Sequence, residues 1–272
     1  MKRNFSILVN SCDSFDDCWN PFFSLFARYW PNCEESILLN TERKNYCFPG
    51  LNIRCTRVQT DGTAKSLSWS ECLARTLDQI ETQLVLYLQD DYFIERPIKT
   101  SLITEFVALM VADRSIEHIG LTHFGSQGPF EQTVDERLWK IGKRAGYRIS
   151  TQAALWQVDT LRSYLRPKEN AWMFEVFGSR RSWRRKETFL TVNRDMYEPK
   201  KEPIIQYMHT GITKGKWNPQ VAALFHAHGI VADFSARGFS RDVSSMFGKM
   251  KTLKFLVSDP VTACRGFLGL WS

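Results

Sequence analysis

The stretch Leu84–Phe93, LVLYLQDDYF, runs from unbroken apolar side chains into two adjacent carboxylates. A strand with one wet face alternates apolar and polar residues, whereas a parallel strand covered on both faces is continuously apolar. LVLYL therefore reads as an inner strand of a parallel sheet. Asp90 and Asp91 then fall at its carboxyl end, where open α/β sheets bind their ligands. Neighbouring carboxylates repel one another and resist desolvation unless positive charge stands nearby. A divalent cation carrying a diphosphate supplies it, because magnesium and manganese favour oxygen ligands. The competing reading of an isolated Asp-Asp is a turn whose side chains bond the local backbone. Its place after the most apolar strand of the chain favours the cation.

Upstream, strand and helix alternate. NFSILVNSCDS reads as a first strand and loop, and DDCWNPFFSLFARYWP as a helix ending at Pro31. ESILLNTE reads as a second strand and LNIRCTRVQ as a third, after a turn at Pro49-Gly50. KSLSWSECLARTLDQIET reads as an amphipathic helix with Leu67, Cys72, Leu73, Leu77 and Ile80 on its apolar face. Downstream, SLITEFVALMVAD reads as a helix, IEHIGLTHF as a strand, GSQGPFEQTVDE as a loop and YRISTQAALWQVDTLRSYL as a strand running into a helix. The expected fold class is α/β: a Rossmann-type, mostly parallel central sheet flanked by helices. One domain is expected over residues 1–238, with a basic C-terminal extension over 239–272.

The 272 residues, 43% of them hydrophobic and 13% aromatic, suffice for a substantial core. No apolar run approaches the roughly 20 residues that span a bilayer. The basic start MKRNFSILVNSCDSF reads as a first strand rather than a signal peptide. Seven cysteines, an odd count without zinc-knuckle spacing, read as free thiols in a reducing cytoplasm. A net charge of +7 suggests an anionic partner: nucleotide, phospholipid or nucleic acid. No nucleic-acid motif accompanies the charge, so nucleic acid is not expected.

SILVNSCDSFDDCW followed by KSLSWSECLARTLDQIETQLVLYLQDDYFI resembles the donor half of bacterial GT-A-type glycosyltransferases of the surface-polysaccharide type. The resemblance spans residues 5–95. It implies a GT-A-like fold with a donor half over about residues 1–100 and an acceptor half over about 101–238. It also implies a DxD-like motif after the fourth strand that holds the metal and diphosphate of a sugar nucleotide. Gln89 stands where a strict DxD has its first acid. By the resemblance, Asp91 is a ligand of Mn2+ or Mg2+, and Asp90 contacts the ribose or supports the ligand. The loop after the first strand should meet the nucleobase, which nominates Ser11, Cys12 and Asp13; an ordinary strand-to-helix turn is the alternative. Lys65, Ser66 and Ser68 begin a helix, where free backbone N–H groups favour anions. Capping by a serine is the alternative there.

Glycosyl transfer with inversion needs a base for the acceptor hydroxyl, commonly Asp or Glu. In ENAWMFEVFGS, Glu175 stands among Trp172, Phe174 and Phe177, and apolar surroundings raise a carboxyl pKa. Glu175 is the candidate base, with Glu169 and Asp159 behind it; an outward-facing glutamate on an amphipathic helix is the alternative, and a retaining enzyme would need no such base. Trp156 and Trp172 are candidates to stack on acceptor sugars, with core packing as the alternative. In QYMHTGITKGKWNP the resemblance implies that His209 completes the metal's ligands and that Lys214 and Lys216 meet the diphosphate. Gly211 and Gly215 would let that segment move. SRRSWRRKE gathers Arg180, Arg181, Arg184, Arg185 and Lys186, either as a solvated face or as a contact for acidic lipid headgroups or a lipid-diphosphate acceptor. The basic, apolar tail either lies on a membrane surface or packs as a terminal helix.

The expected function is a divalent-metal-dependent glycosyltransferase of hexosyl type, acting on a glycan or lipid-linked glycan. It would be cytoplasmic, with peripheral contact to an anionic membrane. A nucleotidyltransferase normally shows a glycine-rich loop after the first strand, and VNSCDSFDD has none. An inactive carbohydrate-binding or nucleic-acid-binding protein is the remaining alternative.

Overall fold

The computed structural model describes residues 4–59 and 66–240. Lys65 and residues 241–272, most of the basic extension, lie outside the described residues. Four strands, Phe5–Asn10 (β1), Ile37–Leu39 (β2), Ile53–Cys55 (β3) and Leu84–Gln89 (β4), stand parallel in the order β3-β2-β1-β4. Ile116–Gly120 (β5), Phe130–Gln132 (β6), Leu138–Ile141 (β7), Ala154–Gln157 (β8) and Thr188–Val192 (β9) extend the sheet beyond β4 in the order β8-β5-β9-β7-β6. Only β7 and β8 run against the other seven strands. This is the mostly parallel, helix-flanked sheet expected from the sequence.

Every residue of β1, and Leu84–Leu88 of β4, is buried. Successive side chains of a strand point to opposite faces, so a continuously apolar strand feeds two cores at once. Ile7, Val9, Leu86 and Leu88 pack on one side against Phe22 and Phe26 of the helix Asp16–Tyr29 (α1) and Phe106 of Thr100–Ala112 (α3). Leu8, Val85 and Tyr87 pack on the other side. There they meet Leu73 of Trp69–Leu77 (α2), Leu161 of Val158–Tyr164 (α4) and Phe174 of Ala171–Ser182 (α5).

Two local expectations change. The segment expected to be a loop contains β6, an edge strand whose residues are mostly exposed and so carry no apolar signature. Leu67 and Ile80 lie outside α2, which begins after a Ser68 cap and ends at Leu77. A hairpin, Ile212–Thr213 (β10) and Lys216–Trp217 (β11), precedes the last described helix, Pro219–Ala227 (α6).

Candidate active site

The register of β1 on β4 pairs Asn10 with Gln89, so the next residues, Ser11 and Asp90, leave the sheet side by side. Ser11 Oγ donates to Asp90 Oδ2 and accepts from Trp19 Nε1 at 2.6 Å. Asp90 is 4% exposed, and burial together with the Asp91 charge pushes its pKa well above the usual carboxylate range. Asp91 is clasped by the segment that precedes and begins β10. Thr210 Oγ1 donates to Asp91 Oδ2 at 2.6 Å, Ile212 N–H donates to the same oxygen at 3.3 Å, and Gly211 N–H donates to the Asp91 carbonyl at 2.9 Å. Burial raises the Asp91 pKa against these donors.

Gly211 is a packing residue rather than the hinge expected from the sequence. A Cβ there would lie 2.1 Å from the Phe93 ring and 3.0 Å from the Asp91 carbonyl. Lys214 (φ 53°) and Gly215 (φ 77°) form the two-residue turn of the β10–β11 hairpin, which requires positive φ at both positions. Lys214 and Lys216 are exposed, and neither is among the described residues lining the cleft.

Asp91, Gln89, Tyr92, Thr151, Trp172, Glu175, His209 and Thr210 share the wall of one cleft of about 610 Å³. Glu175 enters it from the second turn of α5, a helix capped by Asn170 Oδ1 on Met173 N–H at 2.9 Å. Thr151 donates twice to Glu175 Oε1, from N–H at 2.8 Å and from Oγ1 at 2.9 Å. Burial still dominates and raises the Glu175 pKa, while the Thr151 and Ser150 donors pull it down. A closed network ties this wall to the end of β4. Tyr92 OH donates to the Thr151 carbonyl at 2.9 Å and accepts from Gln89 Nε2 and Gln152 Nε2, each at 2.9 Å. Gln89 Nε2 also donates to the Thr151 carbonyl at 3.2 Å. A carboxylate at position 89 could not donate there.

Among the described residues, no three His, Cys, Asp or Glu side chains gather as a metal-ligand set. Asp91 and His209 do line the same cleft. His209 packs on Phe124, with ring centres 4.6 Å apart, and burial lowers its pKa, which favours the neutral, ligating imidazole. Magnesium is held by one or two carboxylates plus substrate phosphates. These residues therefore fit a cation shared with a diphosphate, and do not form a cage that would hold one without it.

Several sequence candidates take other roles. Asp13 accepts from the backbone N–H groups of Glu42, Arg43 and Lys44 at 3.0, 2.9 and 3.1 Å, joining the loops that follow β1 and β2. Cys12 Sγ lies 3.1 Å from Ser14 Oγ. None of Ser11, Cys12 and Asp13 is among the described residues lining the cleft. Ser68 is a helix cap: its hydroxyl accepts from Glu71 N–H and Lys168 N–H, and Glu71 returns the capping-box bond. Trp156 is wholly buried against His118 and Phe189 and cannot meet an acceptor sugar. Glu169, also wholly buried, is held by both Nη atoms of Arg181 at 2.7 and 2.8 Å, which removes it as a reserve base. Arg181 thereby leaves the proposed basic face, and Arg185 pairs with Glu187. Thr151, Thr210, Gln152 and Tyr92 were not anticipated. Thr210, beside His209 and Gly211, and Tyr92, beside Asp91, had a sequence signal to find them by.

No protein-family model matches the chain, and no curated protein matches it. Solved structures resemble it at low identity. S. aureus TarS 1–349 in complex with UDP-GlcNAc is 11% identical, covering 98% of this chain and 79% of that one, with a TM-score of 0.45. TarS 1–349 alone is 13% identical over 70% of this chain and 58% of that one, at 0.45. Glucosyl-3-phosphoglycerate synthase from Mycobacterium tuberculosis, with Mn2+ and UDP-glucose, is 9% identical over 85% and 81%, at 0.44. The chain thus spans under three-fifths of that TarS 1–349 structure and 38% of a longer TarS structure. Likenesses this distant carry no weight for activity, which has to come from the site. Among the described residues no helix is long and apolar enough to cross a membrane.

Proposed function

We propose that the chain is a glycosyltransferase that moves a sugar from a nucleoside-diphosphate sugar to a hydroxyl of a glycan or lipid-linked glycan, with inversion. The observation that carries this reading is the meeting of Asp91 and Glu175 in one cleft at the carboxyl end of β4. Asp91 and His209 would hold Mn2+ or Mg2+ together with the donor diphosphate. The cation, when bound, neutralises the departing diphosphate. Glu175 takes the proton of the acceptor hydroxyl as its oxygen bonds the anomeric carbon. The bond from that carbon to the diphosphate breaks, and a nucleoside diphosphate leaves. Trp172 offers an aromatic face to the acceptor sugar. Arg184 and Lys186, both exposed, are the contacts a negatively charged membrane would meet.

The test is a thermal-shift screen of nucleoside-diphosphate sugars with and without Mn2+, on the parent and on Asp91→Asn. A ligand at 100 times its dissociation constant stabilises by about 2.7 kcal/mol. At least one nucleotide sugar should stabilise the parent, more so with Mn2+, and Asp91→Asn should lose the metal-dependent increment while remaining folded. If no nucleotide sugar shifts the parent under either condition, the reading fails.

A further inference from the structure

The cleft does not stop at Glu175. Beside it lies a second hollow of about 200 Å³, walled by Arg144, Val176, Arg180 and Trp183. Gln127 and Tyr147 line both spaces, so the two adjoin. Helix α5 runs along its length: Trp172 and Glu175 face the first space, and Val176, Arg180 and Trp183 the second. At 1.5 Å of rise per residue, Arg180 stands roughly 7.5 Å farther along the helix axis than Glu175. That is beyond the reacting hydroxyl but within reach of the same bound molecule.

The second hollow has its own chemistry. Trp183 is 40% exposed, so one side of its indole is open to a ligand. The guanidinium carbons of Arg144 and Arg180 lie 6.0 and 5.6 Å from its ring centre. Arg144 comes from a separate segment, after β7, and makes no ion pair among the described residues. Tyr147, at the divide, holds a left-handed backbone (φ 51°), a conformation that non-glycine residues keep mainly where surroundings impose it. An indole face stacks on the apolar face of a sugar, and a guanidinium fork matches a phosphate or carboxylate.

We propose that this hollow is an acceptor subsite that reads a phosphate or carboxylate on the glycan, next to the sugar whose hydroxyl is glycosylated. The proposal rests on the transferase reading of the adjoining cleft. A membrane headgroup could offer the same anion. A flat contact, however, needs only exposed cations, whereas this space is walled, has an aromatic side and adjoins the cleft that holds Glu175.

Ligand-observed NMR on the full chain tests it with glucose, glucose 6-phosphate, glucuronate and inorganic phosphate, on the parent, Arg144→Ala and Trp183→Ala. Both substitutions are at exposed positions, and circular dichroism checks their folding. The parent should bind glucose 6-phosphate and glucuronate roughly tenfold more tightly than glucose at low salt. Arg144→Ala should erase that preference, and added salt should weaken it, since charges are screened within about 10 Å at 0.1 M. Trp183→Ala should weaken all three sugars. Equal binding of glucose and glucose 6-phosphate, or a preference untouched by Arg144→Ala, overturns the proposal. So does inorganic phosphate binding as tightly as glucose 6-phosphate and indifferently to Trp183→Ala, which marks a bare anion site. Anionic vesicles that sense both substitutions while the sugars do not would mark a membrane contact and overturn it as well. A parallel nucleotide-sugar titration separates the two readings. If nucleotide sugars bind and anionic sugars do not, only the subsite falls. If anionic sugars bind in the expected pattern and nucleotide sugars do not, the subsite stands and the transferase reading falls.

Discussion

At the residue scale, Glu175 is the group whose environment most constrains its chemistry. Burial raises its pKa, and a base acts only when ionised. As pH falls through that raised value the carboxylate takes up a proton and transfer declines. The acid limb of the kcat profile should therefore lie above the usual glutamate range. Glu175→Gln should cost about 100- to 10,000-fold in kcat and leave donor affinity unchanged. Thr151→Val removes a hydroxyl donor that lowers the Glu175 pKa, so the acid limb should move to higher pH; a limb that stays in place would separate it from Glu175. Glu175, Asp91, His209 and Trp172 were candidates from the sequence because carboxylate, imidazole and indole carry their chemistry in their type, and all four line one cleft. Thr151 was not, because its role exists only once α5 packs over the segment before β8. Ser68 and Trp156 each admit two readings in the sequence, and the structure takes the cap and the core packing. A capping serine looks like an anion-binding one in a sequence, and a core tryptophan looks like a sugar platform.

At the element scale, the site depends on two braces. The first is the 210–212 segment laid against the Asp91 carbonyl and the Phe93 ring. Gly211→Ala would place a methyl group within the Phe93 ring, and rigid ring and backbone cannot both yield. The variant should lose stability by about 1–3 kcal/mol, as overpacking does. It should also lose the Mn2+-dependent part of donor affinity, because the Thr210 bond to Asp91 is displaced with it. Unchanged melting and affinity would show that the segment is not clasped. The second brace is the Glu169–Arg181 pair, which ties the approach to α5 to its last turn and bonds the Tyr164 carbonyl at 2.7 Å. Arg181→Met leaves the buried Glu169 carboxylate without its hydrogen-bonded partner, with only the Arg166 charge nearby, and should cost about 3–5 kcal/mol in a denaturant titration. A loss below 1 kcal/mol would place the pair in water. In the parallel half β1, β4 and α1, with 6, 6 and 14 residues, were legible because they are long enough to carry an apolar pattern, and the three-residue β2 and β3 because loops and turns bound them. β6 and β7 were not, since short strands near a sheet edge hold few buried side chains and leave little periodicity to find.

At the scale of the whole molecule, the parallel and mixed halves are one sheet because β8 inserts between β4 and β5. This late strand closes the edge that β4 would otherwise expose, so the parallel half depends on Ala154–Gln157, well downstream of Asp90 and Asp91. Trp156 sits at that junction, paired with Val85 on one side and His118 on the other, and wholly buried. Its indole N–H finds no partner among the described residues, so its contribution is volume and contact. Trp156→Ala should therefore cost about 3–5 kcal/mol, the range for emptying a large aromatic site. For a chain of this size that lowers the melting temperature by roughly 10 °C. The loss should appear in one transition, with hydrogen exchange in β1 and in β9 accelerating together, because both halves share the strand. Trp156→Phe keeps most of the ring and removes the unpaired N–H, and should melt near the parent with full turnover. Two separate transitions in Trp156→Ala would make the halves independent. A Trp156→Phe variant that is stable but has lost acceptor affinity would return this tryptophan to the sugar site from which its burial removes it.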